Sequence, residues 1–141
     1  MALPAGWFRT EPDSSSLATP RLLARINVHP DELDERIALY ERALGVACDS
    51  RTPIPEVGLE LAMVGGLLLI ANPNPPSEVA RATAFTLLVA SVAGYVADLE
   101  GTGAEATEPI TTSPAGHRSR VRFPDGTLVE IIDNRPLPAE A

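Results

Sequence analysis

Apolar and polar residues alternate along several short stretches of this chain and recur with helical spacing along two longer ones. The first alternation covers residues 22–28, where one face is apolar and the other polar, as in a half-buried strand. The next stretch has an apolar stripe at helical spacing, formed by Leu33, Ile37, Tyr40 and Leu44. Pro30 suits the first turn of this helix, and Gly45 is a typical helix stop. The pattern therefore predicts a strand followed directly by a helix.

Three shorter strands are predicted after the helix, at residues 46–51, 56–64 and 67–71. Gly65-Gly66 marks a hairpin between the last two, and the proline-rich segment 72–76 ends the series. The same order then returns, with a strand at 82–89, a helical stripe at Val92, Val96 and Leu99, and strands at 104–112, 117–123 and 127–132. Pro109 indicates an edge or a bulge in the strand that contains it.

The two series are related by a shift of 59 residues, which places the first helical stripe on the second. We therefore predict an α+β fold of two tandem βαβββ modules, at about 21–72 and 81–134, forming a curved mixed sheet around a cavity with the helices outside. Residues 1–20 are predicted to be an N-terminal extension and residues 135–141 a C-terminal tail. Trp7-Phe8 in the extension has two interpretations: it docks on a groove of this chain or a partner, or it is mobile.

This order, together with two motifs, resembles the vicinal oxygen chelate superfamily of glyoxalases, bleomycin-resistance proteins and dioxygenases. LYERALG at the end of the first helix is similar to the family's FYxxxLG, and VRFPDGTLVEII to its F-x-DPDG-xxx-E element. The resemblance covers about residues 22–133. It implies the family's fold, and a divalent metal held by ligands from the first and last strand of each module.

Of those metal-ligand positions, only Glu130 carries a matching residue. The 59-residue shift places its counterpart near Ala71 or Asn72, which are not carboxylates. The first-strand positions hold no histidine: they fall near Ala24 or Arg25 and near Thr83 or Ala84. We therefore expect no metal of the usual family type and no other cofactor.

Strand alternation also predicts which side chains face the cavity. If the apolar positions face the helices, the opposite positions face inward, and a one-residue slip would exchange the two sets. The expected ligand-binding residues are Arg25, Asn27, His29, Arg120 and Arg122. Guanidinium groups bind carboxylates and phenolates well, and Glu130 would pair with one of them. Glu130 is also the candidate catalytic acid or base.

Composition excludes several classes of partner. The net charge of −8 repels phosphate backbones, so we expect no nucleic acid partner. No apolar stretch approaches the roughly 20 residues that span a bilayer, so we expect no membrane partner. Cys48 is the single cysteine, which excludes an internal disulfide. The N-terminus lacks the pattern of a signal peptide, and we expect a cytoplasmic homodimer.

Two main hypotheses for function follow. The first is a glyoxalase/bleomycin-resistance-like protein that binds a small molecule and lacks the usual catalytic metal. The second is a lyase, isomerase or cyclase of the same superfamily that acts on a small metabolite with Glu130 as acid or base. A third is an interaction module for a protein partner. Whether the protein is an enzyme stays open at this point.

Overall fold

The computed structural model describes residues 8–11, 13–113 and 115–135. Trp7 and residues 136–141 of the predicted tail lie outside the described residues, so the structure does not test the prediction for Trp7. The strands are β1 (Phe8–Arg9), β2 (Arg21–Val28), β3 (Cys48–Ile54), β4 (Leu59–Val64), β5 (Leu67–Ala71), β6 (Thr83–Leu88), β7 (Glu105–Ala106), β8 (Thr111–Ser113), β9 (Gly116–Arg122) and β10 (Leu128–Ile132). The α-helices are α1 (Leu33–Leu44), α2 (Glu78–Ala82) and α3 (Val92–Asp98).

The described strands form a single mixed sheet in the order β1-β3-β4-β5-β2-β6-β10-β9-β7, with β8 also paired to β9. The first strands of the two halves, β2 and β6, pair antiparallel at the centre of the sheet. Each of them pairs in parallel with the last strand of its own half, β2 with β5 and β6 with β10. The predicted α+β fold with two βαβββ modules in one curved sheet is confirmed.

The two long helices cover the same face of the sheet, one on each half. α1 packs through Leu33 and Ile37 against Leu69 and Ala71, whereas α3 packs through Val92 against the other half. The opposite face, which we call the inner face, carries a separate apolar cluster that includes Leu23, Met63, Leu68, Ile70 and Leu88. Gly45 ends α1 in the left-handed conformation, with a φ of 69°, as expected from the sequence.

Some element boundaries differ from the sequence prediction for local reasons. Ala82, where a strand was predicted to begin, instead ends helix α2, because the Ser77 hydroxyl accepts a hydrogen bond from the Ala80 N–H and caps a helical turn. The strand predicted at 104–112 is divided into β7 and β8, and Pro109 lies in the interruption. Both pieces pair with β9 at the edge of the sheet.

The described part of the predicted extension packs against the domain. β1 pairs with β3, and the buried Ser14 hydroxyl donates to the Val89 carbonyl and accepts from the Asn134 N–H. Leu17 packs on the apolar cluster of the inner face. The Arg9 guanidinium donates to the carbonyls of Ala115 and Arg135. Ala115 precedes β9 and Arg135 follows β10, so Arg9 joins the first strand of the sheet to the segments that flank the last strands of the second half.

None of the helices in the described residues has the length and hydropathy needed to cross a membrane.

Candidate functional site

Glu130 lies in the middle of β10, which runs between β6 and β9 in the sheet. Its register partners are Thr86 in β6 and Arg120 in β9. Because strand side chains alternate between faces, Glu130 points to the inner face while Val129 and Ile131 pack under α3. Only 9% of the residue is exposed, so a charged group is buried here and needs partners.

Both carboxylate oxygens of Glu130 are engaged by cationic or hydroxyl donors. Arg25 Nη1 lies 2.9 Å from Oε1, and the Thr86 hydroxyl donates to the same oxygen over 3.0 Å. Arg118 Nη2 donates to Oε2 over 2.9 Å, and Arg120 Nη2 lies 3.9 Å from that oxygen. Four strands therefore contribute to one polar cluster on the inner face, which we call the arginine cluster: Arg25, Arg118, Arg120, Glu130 and Thr86.

The surroundings of Glu130 lower its pKa. Burial by itself raises the pKa, but the charges of Arg25 and Arg118, with hydrogen bonds from Arg118 and Thr86, outweigh it. The carboxylate therefore stays ionised at neutral pH and is a weak proton acceptor. Its clearest effect is to hold the guanidinium groups in fixed positions.

A second carboxylate reaches the cluster from the edge of the sheet. Arg120 donates from Nε to the Thr83 hydroxyl over 3.1 Å and from Nη1 to Glu108 over 2.7 Å. Three guanidiniums thus face two carboxylates, which leaves one excess positive charge inside an acidic protein. The Arg118 side chain is 43% exposed, so part of this charge is open to solvent.

The structure brings together three of the six site residues expected from the sequence: Arg25, Arg120 and Glu130. Arg122 lies on the same strand face but is exposed and donates to the Gly126 carbonyl in the following turn. Asn27 and His29 line a separate groove of about 300 Å³ beside the proline-rich loop 72–76. The His29 ring accepts a hydrogen bond from the Asp31 N–H and caps the turn before α1.

Sequence reasoning did not select Arg118, Thr86 or Glu108 as site residues. Arg118 had a usable signal, since it alternates in phase with Arg120 along β9. Thr86 becomes a neighbour of Glu130 only through the parallel pairing of β6 with β10. Glu108 is in a loop, where no periodic pattern predicts the direction of a side chain.

In the first half of the sheet, the position that corresponds to Glu130 holds an apolar side chain. In the second half, Thr86 of β6 lies opposite Glu130 of β10. In the first half, Asn27 of β2 lies opposite Ile70 of β5 in the same way. Ile70, and not Ala71 or Asn72 as the 59-residue shift predicted, therefore occupies the place of a second carboxylate. Within residues 8–11, 13–113 and 115–135, no group of three or more His, Cys, Asp or Glu side chains is suited to hold a metal ion.

Cys48 and Asp133 are titratable residues that lie away from the arginine cluster. Cys48 packs at the margin of the core under α1, and burial raises the pKa of its thiol. Asp133 is almost fully buried and accepts hydrogen bonds from the N–H groups of Val92 and His117, while the His117 ring Nδ1 lies 3.0 Å from Oδ1. Asp133 therefore connects the start of α3 to the start of β9.

The chain belongs to the Glyoxalase/Bleomycin resistance protein/Dioxygenase superfamily, whose family model matches residues 22–131. The match spans both halves of the sheet and every residue of the arginine cluster. Among curated protein sequences, none matches this chain.

Solved structures of similar fold cover most of the chain. An uncharacterized protein from Methanosarcina mazei is 31% identical, with a TM-score of 0.68 over 86% of this chain and 97% of that one. Methylmalonyl-CoA epimerase from Mycobacterium tuberculosis is 20% identical, with a TM-score of 0.57 over 86% and 93%. A variant of the Streptomyces coelicolor epimerase in complex with 2-nitronate-propionyl-CoA is 19% identical, with a TM-score of 0.55 over 86% and 100%. At these identities the two epimerases show a shared fold.

Proposed function

We propose that this protein binds a small acidic molecule on the inner face of its sheet, through the guanidiniums of Arg25, Arg118 and Arg120. The observation that carries the proposal is the excess of guanidiniums over carboxylates in the arginine cluster. Part of this excess charge is open to solvent at Arg118, where the carboxylate of a ligand can balance it through charge-assisted hydrogen bonds.

Arg118 is the most accessible part of the cluster. Its guanidinium donates to Glu130, and within the described residues it makes no other side-chain hydrogen bond. A ligand carboxylate can therefore accept from its outer N–H groups. Ile132 lies opposite Arg118 in the β9–β10 pair and packs on the apolar cluster of the inner face. The ligand that fits combines a carboxylate with a short apolar part.

The fold neighbours are consistent with a small-molecule ligand. They include methylmalonyl-CoA epimerase in complex with methylmalonyl-CoA and NH4+, and the epimerase variant with 2-nitronate-propionyl-CoA. These ligands belong to those proteins. For this chain they support the choice of a small acid as the class of ligand to test.

We further propose that the protein works without the divalent metal of its family. Both oxygens of Glu130 are already bonded, three guanidiniums surround it, and Ile70 stands where a second carboxylate is needed. A divalent cation would meet positive charge and too few ligands. No step of the proposed function therefore passes through a metal.

The alternative function, with Glu130 as acid or base of a lyase, isomerase or cyclase, receives less support from the geometry. A general base needs a pKa near the working pH, and the pKa of Glu130 is lowered instead. Its oxygens are also occupied by Arg25, Thr86 and Arg118. The binding roles expected for Asn27, His29 and Arg122, the homodimer and the cytoplasmic location stay predictions.

Calorimetric titration with butyrate, succinate and the neutral butyramide tests the proposal. We expect at least one of the two acids to bind and butyramide not to bind. Arg118→Gln should weaken acid binding at least about tenfold, because it removes a charged hydrogen-bond donor. Arg42→Gln is the matched control. Arg42 is exposed on α1, which covers the opposite face of the sheet, and its substitution removes the same charge. Equal affinity in Arg118→Gln and wild type, or no binding of either acid, would overturn the proposal.

A further inference from the structure

The loop between β7 and β8 sends a carboxylate onto the arginine cluster. Residues 107–110 interrupt the edge strand, and three bonds to the backbone hold them to β9. The Thr107 N–H and hydroxyl both donate to the Arg120 carbonyl, and the Ser119 hydroxyl donates to the Glu108 carbonyl. From this anchored turn the Glu108 side chain reaches Arg120 Nη1, 2.7 Å away.

The two carboxylates that contact the guanidiniums of the arginine cluster are held very differently. Glu130 lies within a central strand, its side chain is 11% exposed, and donors from β2, β6 and β9 hold both of its oxygens. Glu108 lies in an edge loop and its side chain is 34% exposed. Within the described residues, the one hydrogen bond of its carboxylate is with Arg120. The half-buried Glu108 carboxylate has one partner to give up, whereas Glu130 would have to give up bonds on both of its oxygens, so Glu108 is the easier of the two to displace. Glu130 is therefore the fixed counter-ion, and Glu108 the replaceable one.

We propose that Glu108 occupies the place of a ligand carboxylate on Arg120 and that the ligand displaces it, which makes the preferred ligand a small dicarboxylate. This inference rests on the proposed function. One ligand carboxylate binds the exposed guanidinium of Arg118, and the second replaces Glu108 on Arg120.

The spacing of the two arginines supports a ligand with two carboxylates. Arg118 and Arg120 are two positions apart on β9, so they share a face and their Cα atoms are about 7 Å apart. Both guanidiniums converge toward Oε2 of Glu130, which brings their charged ends closer still. When a carboxylate replaces Glu108, the charge next to Arg120 is conserved while Glu108 returns to solvent. A neutral ligand cannot replace the charge of Glu108, so this exchange favours acidic ligands.

The test compares succinate with butyrate, which has the same number of carbon atoms and one carboxylate fewer. Glu108→Gln removes the competing charge from Arg120, so we expect it to bind succinate roughly fivefold more tightly than wild type does. Butyrate needs only Arg118, and its affinity should stay within about twofold. Glu105→Gln is the matched control. Glu105 is an exposed carboxylate on β7, and its substitution removes the same charge from the same edge of the sheet.

A second measurement follows the loop itself. Succinate binding to wild type should speed amide hydrogen exchange in residues 107–110, because the loop loses its side-chain bond to Arg120. The inference is overturned if Arg118-dependent binding occurs but Glu108→Gln leaves succinate affinity unchanged, tightens butyrate equally, or behaves like Glu105→Gln. In that case the proposed function survives. If neither acid binds wild type or Glu108→Gln, both proposals fail together.

Discussion

Arg25 and Glu130 form a salt bridge of 2.9 Å between residues 105 positions apart. Arg25 belongs to the first strand of the first half, and Glu130 to the last strand of the second. β6 lies between their strands, and its Thr86 hydroxyl bonds both side chains. The candidate site therefore exists only because the two halves lie side by side in one sheet.

Replacing Glu130 should destabilise the fold in a way that depends on pH. Glu130→Gln leaves Arg25 and Arg118 without their counter-ion, and we expect a loss of about 3 kcal/mol in the free energy of unfolding at pH 7. The folded state lowers the pKa of Glu130, so its ionised form contributes stability above the unfolded pKa of about 4.3. That contribution is lost as the pH falls through the folded pKa.

Urea unfolding of wild type and Glu130→Gln from pH 7 to pH 3 measures this effect. The stability difference between them should be constant above about pH 5 and should narrow as the solution becomes more acidic. Glu105→Gln, an exposed carboxylate on β7, should follow wild type throughout. A difference that stays the same down to pH 3 would show that the charge of Glu130 does not stabilise the fold.

Divalent cations should leave the stability of this protein unchanged. A metal present at about 100 times its Kd stabilises a folded protein by about 2.7 kcal/mol. Because the guanidiniums of Arg25 and Arg118 are already bonded to the two carboxylate oxygens of Glu130, we expect no rise in Tm with Zn²⁺, Ni²⁺ or Mn²⁺. Metal analysis of the purified protein is the second measurement. A stoichiometric divalent metal, retained without added metal, would contradict the prediction.

Gly116 should tolerate no side chain, because Asp133 lies directly against it. A Cβ at Gly116 would overlap the backbone carbonyl oxygen of Asp133 and stand 2.9 Å from Asp133 Oδ1, and the residue has a φ of +149°. Moving Asp133 would disturb its bonds to the N–H groups of Val92 and His117. We expect Gly116→Ala to lower the free energy of unfolding by at least about 2 kcal/mol.

Gly94 provides the comparison for Gly116. It lies in α3, and a Cβ there would meet Ser91 at an ordinary 3.6 Å. Gly94→Ala should therefore be neutral or stabilise the protein by about 0.5 kcal/mol, since alanine favours a helix. Equal stability of the two variants in thermal or urea unfolding would show that the contact with Asp133 does not constrain position 116.

Local periodicity was sufficient to predict the fold and the face of the sheet on which the site lies. The alternation of period two places Arg25, Arg120 and Glu130 on the same side of their strands, and the structure has all three on the inner face. The helical stripes predicted α1 and α3 and their packing on the other face. These properties depend on neighbours within a few positions along the chain, which a sequence displays directly.

Which arginines reach Glu130 was decided by tertiary structure. Arg118 and Arg122 have the same phase on β9, but Arg122 lies at its end and bonds the Gly126 carbonyl, whereas Arg118 reaches Glu130. Glu108 reaches the cluster from a loop, and Leu17 covers the inner face from a segment without periodicity. Such contacts depend on strand register and loop path, because they join residues that only the folded sheet brings together.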